Sequence, residues 1–237
     1  MTAPTLAWIG VGALATPIVR RLIAGGHRPT LFDPRAEATA PFADDAEIAP
    51  SLAAAAAAAD LVFSTVPNDA ILEAVAAEVL PALGPGAVWC DMSTVSAEAS
   101  ARVAPASAGS AYVRAPVSGS VGHAEKGILT VIASGPAEAF ARLVPIFELF
   151  SAQRYHVGEA EQARHLKLVI NNLVGSTAAL LAESLAMGRK AGLDWEVMLD
   201  VVADSAVASP LVKYKTGPLQ ARAFAPAFTP SVKLKAR

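Results

Sequence analysis

The chain has a single cysteine, Cys90, so no intramolecular disulfide can form, which suits a reducing compartment. Cys90 lies in the apolar run Ala87-Val88-Trp89-Cys90 and reads as core filler in a buried strand, since no histidine or asparagine arrangement supports a reactive thiol. Charge is scarce as well. Charged side chains make up 17% of the 237 residues, the formal net charge is −2, and no long basic run occurs. A nucleic-acid partner therefore has no electrostatic footprint here. The four histidines, His27, His123, His156 and His165, are scattered and none pairs at metal-ligand spacing, so no metal site is expected. His123 reads as a solvated loop residue, with a substrate contact as the alternative. No uninterrupted apolar run is long enough to span a bilayer. Val169–Ala182 comes closest and carries Asn171, Asn172, Ser176 and Thr177. Leu6–Val19 has the apolarity of a signal-peptide core, but Arg20-Arg21 follow it instead of preceding it. A soluble, cytoplasmic protein without nucleic-acid or membrane partners is the expectation.

What is present is a large apolar fraction, 54%, enough to bury a sizeable core. The first two thirds alternate short apolar runs with helical segments. Strands are predicted over Thr5–Ile9, Thr30–Asp33, Leu61–Thr65, Ala87–Asp91, Ala111–Arg114, Leu129–Ala133 and Gln153–Val157. Helices are predicted over Ala13–Ala24, Ser51–Ala59, Asp69–Leu80, Ser96–Val103 and Ala137–Phe150. Such alternation implies an α/β fold with a doubly wound, mostly parallel sheet of Rossmann type. From Glu159 to Ala191 runs a long helical stretch without proline, followed by a helix over Asp194–Asp204 and a proline-punctuated remainder of short helices and loops. Two domains are expected, residues 1–157 for a dinucleotide and residues 158–237 as an all-helical domain, linked by the long helix, with the site between them.

Gly10-Val11-Gly12-Ala13-Leu14-Ala15 fits G-x-G-x-x-A after a predicted strand and at the start of a predicted helix. Gly10 allows the tight turn, Gly12 lets the backbone approach a pyrophosphate, and Ala15 keeps helix and strand close. The helix start at Ala13 and Leu14 then offers free N–H groups and a positive dipole. Asp33 ends the second strand where an acidic residue would accept hydrogen bonds from the adenosine ribose, which favours NAD over NADP. Arg35, two residues on, could instead hold a 2′-phosphate. A turn-capping role before Pro34 is the plain alternative for Asp33.

Three further segments complete the pattern: Asp91-Met92-Ser93-Thr94, Ala115-Pro116-Val117-Ser118-Gly119-Ser120, and Lys167-Leu168-Val169-Ile170-Asn171-Asn172. With the glycine turn they resemble the β-hydroxyacid dehydrogenase family, which includes 3-hydroxyisobutyrate dehydrogenase and the glyoxylate/succinic semialdehyde reductases. The resemblance implies hydride exchange between NAD or NADP and a small β-hydroxy acid or aldehyde acid. It also implies Lys167 as general acid/base and Asn171, four residues on and on the same helix face, as the group orienting the reacting oxygen. A lysine suits that work because its ammonium pKa shifts readily. Ser118, Gly119 and Ser120 are implied in binding the substrate carboxylate. Val66, Pro67, Asn68 and Thr94 are implied on the cofactor side. Phe228 and Lys235 resemble the family's late pocket phenylalanine and nicotinamide-side lysine. Family members continue beyond Lys235 through helices that help close the site and form the dimer, so a C-terminally short product is expected here. Imine reductases resemble the same family but usually replace the lysine with aspartate or tyrosine. A catalytically inactive dinucleotide-binding scaffold is the alternative outside enzymology.

Overall fold

A computed structural model of the chain describes residues 3–104 and 109–223. It divides into two compact units, Met1–Lys167 and Leu168–Arg237.

In the first unit a six-stranded sheet has the order β3-β2-β1-β4-β5-β6. Its strands are β1 (Leu6–Ile9), β2 (Thr30–Phe32), β3 (Glu47–Ile48), β4 (Leu61–Ser64), β5 (Val88–Asp91) and β6 (Ala111–Arg114). Every pairing in it is parallel. Parallel strands are covered on both faces, which is why they read as continuous apolar runs. Side chains nonetheless alternate between the two faces. Leu6, Trp8, Leu61, Phe63, Val88 and Cys90 enter one core, and Ala7, Ile9, Val62 and Trp89 enter the other.

The crossover helices are α1 (Ala15–Ala24), α2 (Ala36–Thr39), α3 (Leu52–Ala57), α4 (Asp69–Ala82) and α5 (Ala97–Val103). Ser51 caps the alanine-rich α3 by accepting from the Ala54 N–H at 3.1 Å, and Ala55 and Ala56 are fully buried. The alanine run is thus a packed helix, small enough to lie close to its neighbours.

After β6 the chain reverses. Strands β7 (Val117–Ser118), β8 (Leu129–Ala133) and β9 (Ser151–His156) form a second sheet, with β7 antiparallel to β8 and β8 parallel to β9. The expected single sheet is therefore two, bridged by the antiparallel pair Arg114 and Ser134. The Val117–Ser118 segment, outside the strands predicted from the sequence, is held as a strand because it pairs with Val131 and Thr130. Helix α6 (Val121–Lys126) follows β7, and α7 (Ala137–Phe147) lies between β8 and β9. The Arg21 guanidinium of α1 donates to the carbonyls of Leu149, at 2.6 Å, and Glu125, at 2.9 Å, fastening both connections to the first core.

Helix α8 (Gln162–Lys190) crosses from the first unit into the second. At 29 residues it is long and apolar enough, by length and composition, to cross a membrane. It contains Val169–Ala182, the stretch of the sequence that comes closest to an unbroken apolar run, with its polar residues interspersed. A helix that other protein covers has the same composition, and the first turn of α8 is buried in the first unit at Ala163 and Arg164. Within the second unit, α9 (Trp195–Asp204) starts at the Asp194 cap and α10 (Pro210–Gln220) at the Ser209 cap. Gly188 of α8 lets Met198 of α9 pack directly on the helix backbone. The Trp195 Nε1–H donates to the Leu219 carbonyl at 3.2 Å, tying α9 to the end of α10.

Aromatic rings fill the first core. Phe147 stands edge-on to Phe63 at 6.3 Å and to Phe150 at 5.9 Å, and Trp8 stacks on Phe63 at 5.1 Å. Phe147→Ala should destabilise the first unit by about 3–5 kcal/mol, the usual cost of an aromatic-sized cavity, as read from urea unfolding followed by tryptophan fluorescence.

Candidate active site

Because the six strands run parallel, their carboxyl ends share one edge. The strand order reverses between β1 and β4, which flank the position where open α/β sheets bind ligands. The glycine turn sits there. Gly10 has φ +84, and a Cβ at this position would strike the Thr65 carbonyl oxygen. Its carbonyl accepts from the Thr65 hydroxyl at 3.0 Å, and that hydroxyl accepts from the Trp8 indole at 2.8 Å. Gly12 has no atom within 4 Å of a notional Cβ, so the space over its backbone is open. No side chain caps the N-terminus of α1, where Leu14 is the cap residue. An uncapped helix start beside an open glycine fits a pyrophosphate.

Asp33 follows β2 and faces this turn. Its carboxylate accepts from the Val11 N–H at 2.9 Å and from the Arg35 guanidinium at 3.0 and 3.1 Å. The Asp33 side chain is 4% exposed and that of Arg35 59%. Burial works against the charge on Asp33, yet the hydrogen bonds from Arg35 and Val11 prevail and hold its carboxyl below the usual range. Asp33 and Arg35, weighed as opposing signals in the sequence, are thus one ion pair.

Beyond β4, the Val66 N–H donates to the Ser93 hydroxyl at 2.7 Å. Asn68 caps α4 by accepting from the Ile71 N–H at 2.9 Å, so its side-chain oxygen serves the helix. Pro67 is exposed in the same turn. Thr94 is half-buried just past β5; the cap of α5 is Ser96, which accepts from the Ala99 N–H at 3.1 Å. Ser118 is half-buried at the end of β7. Gly119 has φ +135, and a Cβ there would press on Leu129 at 2.6 Å. Ser120 starts α6 with its hydroxyl 2.8 Å from His123 Nδ1. His123 is therefore a capping partner in a helix and not a solvated loop residue. Phe228 and Lys235 lie outside the described residues.

Lys167 is half-buried in α8, and burial pushes its ammonium pKa down to about 8. Among the described residues no carboxylate pairs with it. Asn171 is one turn on along the same helix and half-buried.

The sequence reading missed a buried polar network between these segments. Arg164, one turn before Lys167, is 1% exposed and forms an ion pair with Asp91, which is fully buried at the end of β5. Arg164 also donates to the Ser93 carbonyl at 2.5 Å and the Tyr112 hydroxyl at 3.2 Å. The other Asp91 oxygen accepts from Ser64 at 2.6 Å and Ser93 at 2.7 Å. A lone aspartate closing an apolar strand and a lone arginine on the apolar side of a helix were the available signals.

Two family models cover most of the chain. The NAD binding domain of 6-phosphogluconate dehydrogenase matches residues 5–158, and the NAD-binding domain of NADP-dependent 3-hydroxyisobutyrate dehydrogenase matches residues 162–235. The chain belongs to the β-hydroxyacid dehydrogenase family. It is 34% identical over 206 residues to 2-(hydroxymethyl)glutarate dehydrogenase of Eubacterium barkeri, covering 84% of this chain and 68% of that protein. Identity to 3-hydroxyisobutyrate dehydrogenase of Pseudomonas aeruginosa is 33% over 214 residues, covering 84% and 69%. The crystal structure of a putative oxidoreductase from Mycobacterium avium 104 superposes with a TM-score of 0.79 at 32% identity, over 84% of this chain and 73% of that one. An imine reductase from Myxococcus stipitatus, at 18% identity and a TM-score of 0.78, shares the fold alone. By family this member is an NAD(P)-dependent dehydrogenase acting on hydroxyl groups.

Gly10→Ala should lower dinucleotide affinity by at least about ten-fold, since the added methyl needs both a left-handed backbone and the space of the Thr65 carbonyl. Quenching of tryptophan fluorescence by NADH measures this.

Proposed function

We propose that Lys167 is the proton-transfer residue for the interconversion of a small β-hydroxy acid and its carbonyl form. The substrate class is that of 3-hydroxyisobutyrate, tartronate semialdehyde, glyoxylate or succinic semialdehyde. One observation carries this reading: a half-buried amine, pushed down to about 8 and unpaired among the described residues, sits one turn from a guanidinium bonded to the β5 end. A group titrating near neutrality can both give and take a proton. When bound, the dinucleotide supplies hydride exchange at its nicotinamide; Gly10, Gly12, Ala13 and Leu14 would hold its pyrophosphate, with Val66, Pro67, Asn68 and Thr94 beside it. In the reducing direction Lys167 gives a proton to the substrate oxygen, and in the oxidising direction it removes one. Asn171 orients that oxygen. Ser118 with the backbone of Gly119 and Ser120 holds the carboxylate. NAD is the preferred cofactor, because the ionised Asp33 repels a 2′-phosphate while Arg35 is committed to it.

The acid is small and carboxylate-bearing, in keeping with the hydroxy acids in the names of the two relatives. We infer further that the protein is a homodimer. Val169, Leu173, Leu180 and Met187 are 55%, 61%, 63% and 72% exposed. Their spacing of four, seven and seven residues makes one apolar stripe along α8, which a second copy would cover. Sedimentation velocity should give a dimer, and Leu173→Glu with Leu180→Glu a monomer; a monomer from the unaltered chain would refute this.

Lys167→Ala should lower kcat about 10²–10⁴-fold while leaving NADH affinity within a few-fold. The sign of the pH dependence follows from which form of the amine acts. Reduction needs the ammonium, so kcat stays level below a pH of about 8 and falls above it, whereas oxidation needs the free amine and rises through the same pH. Assays on a panel of short aldehyde acids, run with NADH and NADPH, test this, with tighter binding expected for NADH. Full activity in Lys167→Ala would discard the assignment.

A further inference from the structure

Arg164 is 1% exposed and Asp91 is 0% exposed, so neither side chain can touch a substrate or a dinucleotide. Placing two charges in a core costs several kcal/mol per ion unless every lone pair and proton finds a partner. Here nearly all do. Arg164 donates to Asp91, to the Ser93 carbonyl at 2.5 Å, to the Tyr112 hydroxyl at 3.2 Å and to Ser100 Oγ at 3.3 Å. Asp91 is completed by the hydroxyls of Ser64 and Ser93. Burial works against the charge on Arg164, yet the attraction of Asp91 together with the Tyr112 and Asp91 hydrogen bonds prevails and keeps it charged.

The location of this pair is informative. Residues joined to it come from the end of β4, the end of β5, α5, β6 and the first turn of α8. Ser93 also receives the Val66 N–H at 2.7 Å and immediately precedes Thr94. Arg164 and Lys167 are three residues apart, about 60° around the helix axis. Any rotation or slide of α8 that moves the guanidinium moves the amine with it. Arginine presents a rigid fork with several donors, which fixes both the rotation and the depth of a helix more sharply than an apolar contact.

We propose that Arg164 is a positioning residue for proton transfer: through its buried pair with Asp91 it sets where α8 presents Lys167 relative to the Ser93-Thr94 segment. This rests on the reading of Lys167 as the proton-transfer residue.

A double-mutant cycle tests it. Arg164→Met alone would strand a buried carboxylate, so the variant is Arg164→Met with Asp91→Asn, made in the unaltered chain and in Lys167→Ala. Readouts are kcat, KM, the pH inflection of kcat, NADH affinity and Tm. The paired substitution should leave NADH affinity within about three-fold, lower kcat about 10–100-fold, and move the pH inflection away from 8, as expected for a misplaced group. In the Lys167→Ala background it should lower kcat by less than about two-fold, because residues acting as one unit are not additive. Arg164→Lys, which keeps the charge and loses the fork, should give an intermediate kcat; this variant decides the matter if the neutral pair does not fold. Equal losses with and without Lys167, or an unmoved kcat and pH inflection in a folded variant, would overturn the positioning role while Lys167→Ala by itself keeps its lowered kcat. Wild-type kcat in Lys167→Ala would instead remove the reading on which the proposal stands.

Discussion

The ion pair between Asp91 and Arg164 is the constraint around which the candidate site is assembled. Each Asp91 oxygen is committed, one to the guanidinium and one to the hydroxyls of Ser64 and Ser93. In a core of low dielectric such a pair is strongly direction-dependent, and losing either member leaves an uncompensated charge costing about 3–5 kcal/mol. Apolar residues could hold a helix against a sheet at less desolvation cost. What they could not do is fix the helix start, the strand end and the intervening hydroxyls in one geometry.

A second neighbouring pair follows the same logic. Arg114, at the end of β6, donates to Glu161 just ahead of α8 at 2.8 Å and lies over the Tyr112 ring at 4.6 Å. Ser134 adds a hydroxyl bonded to the Ala160 carbonyl at 2.5 Å and receives the Ala163 N–H at 3.2 Å. The start of α8 is thus clamped by polar contacts on successive residues. The glycine turn is held by a separate set centred on Thr65. The networks at Thr65, at Asp91 and at Arg114 all lie at the carboxyl ends of parallel strands of the first sheet.

Much of this was readable in the residues. Continuous apolar runs such as Leu6–Ile9 and Leu61–Ser64 announce parallel strands because both faces are covered. Gly10 announces the turn because its left-handed backbone and the nearby Thr65 carbonyl leave no room for a side chain, and Gly12 because it leaves the backbone open to a ligand. Ser51 at the head of the alanine-rich stretch suits a helix start, since its hydroxyl has an orphan N–H three residues on to satisfy. Lys167 and Asn171 were found through the motif wording, and their helical spacing followed from it. His123 shows where such reading misleads: its side chain meets Ser120 at the N-terminus of α6, a local demand that the surrounding residues do not announce.

By itself, then, the amino-acid order determined the α/β alternation, the phosphate turn and the helix that carries the lysine, because each depends on neighbours within a few residues. Tertiary structure decided the split into two sheets, the union of Asp33 with Arg35, and the meeting of Asp91 with an arginine 73 residues away. It also decided the acidity of Lys167. Burial sets that property, and burial is a consequence of what packs around a side chain, which linear spacing does not encode.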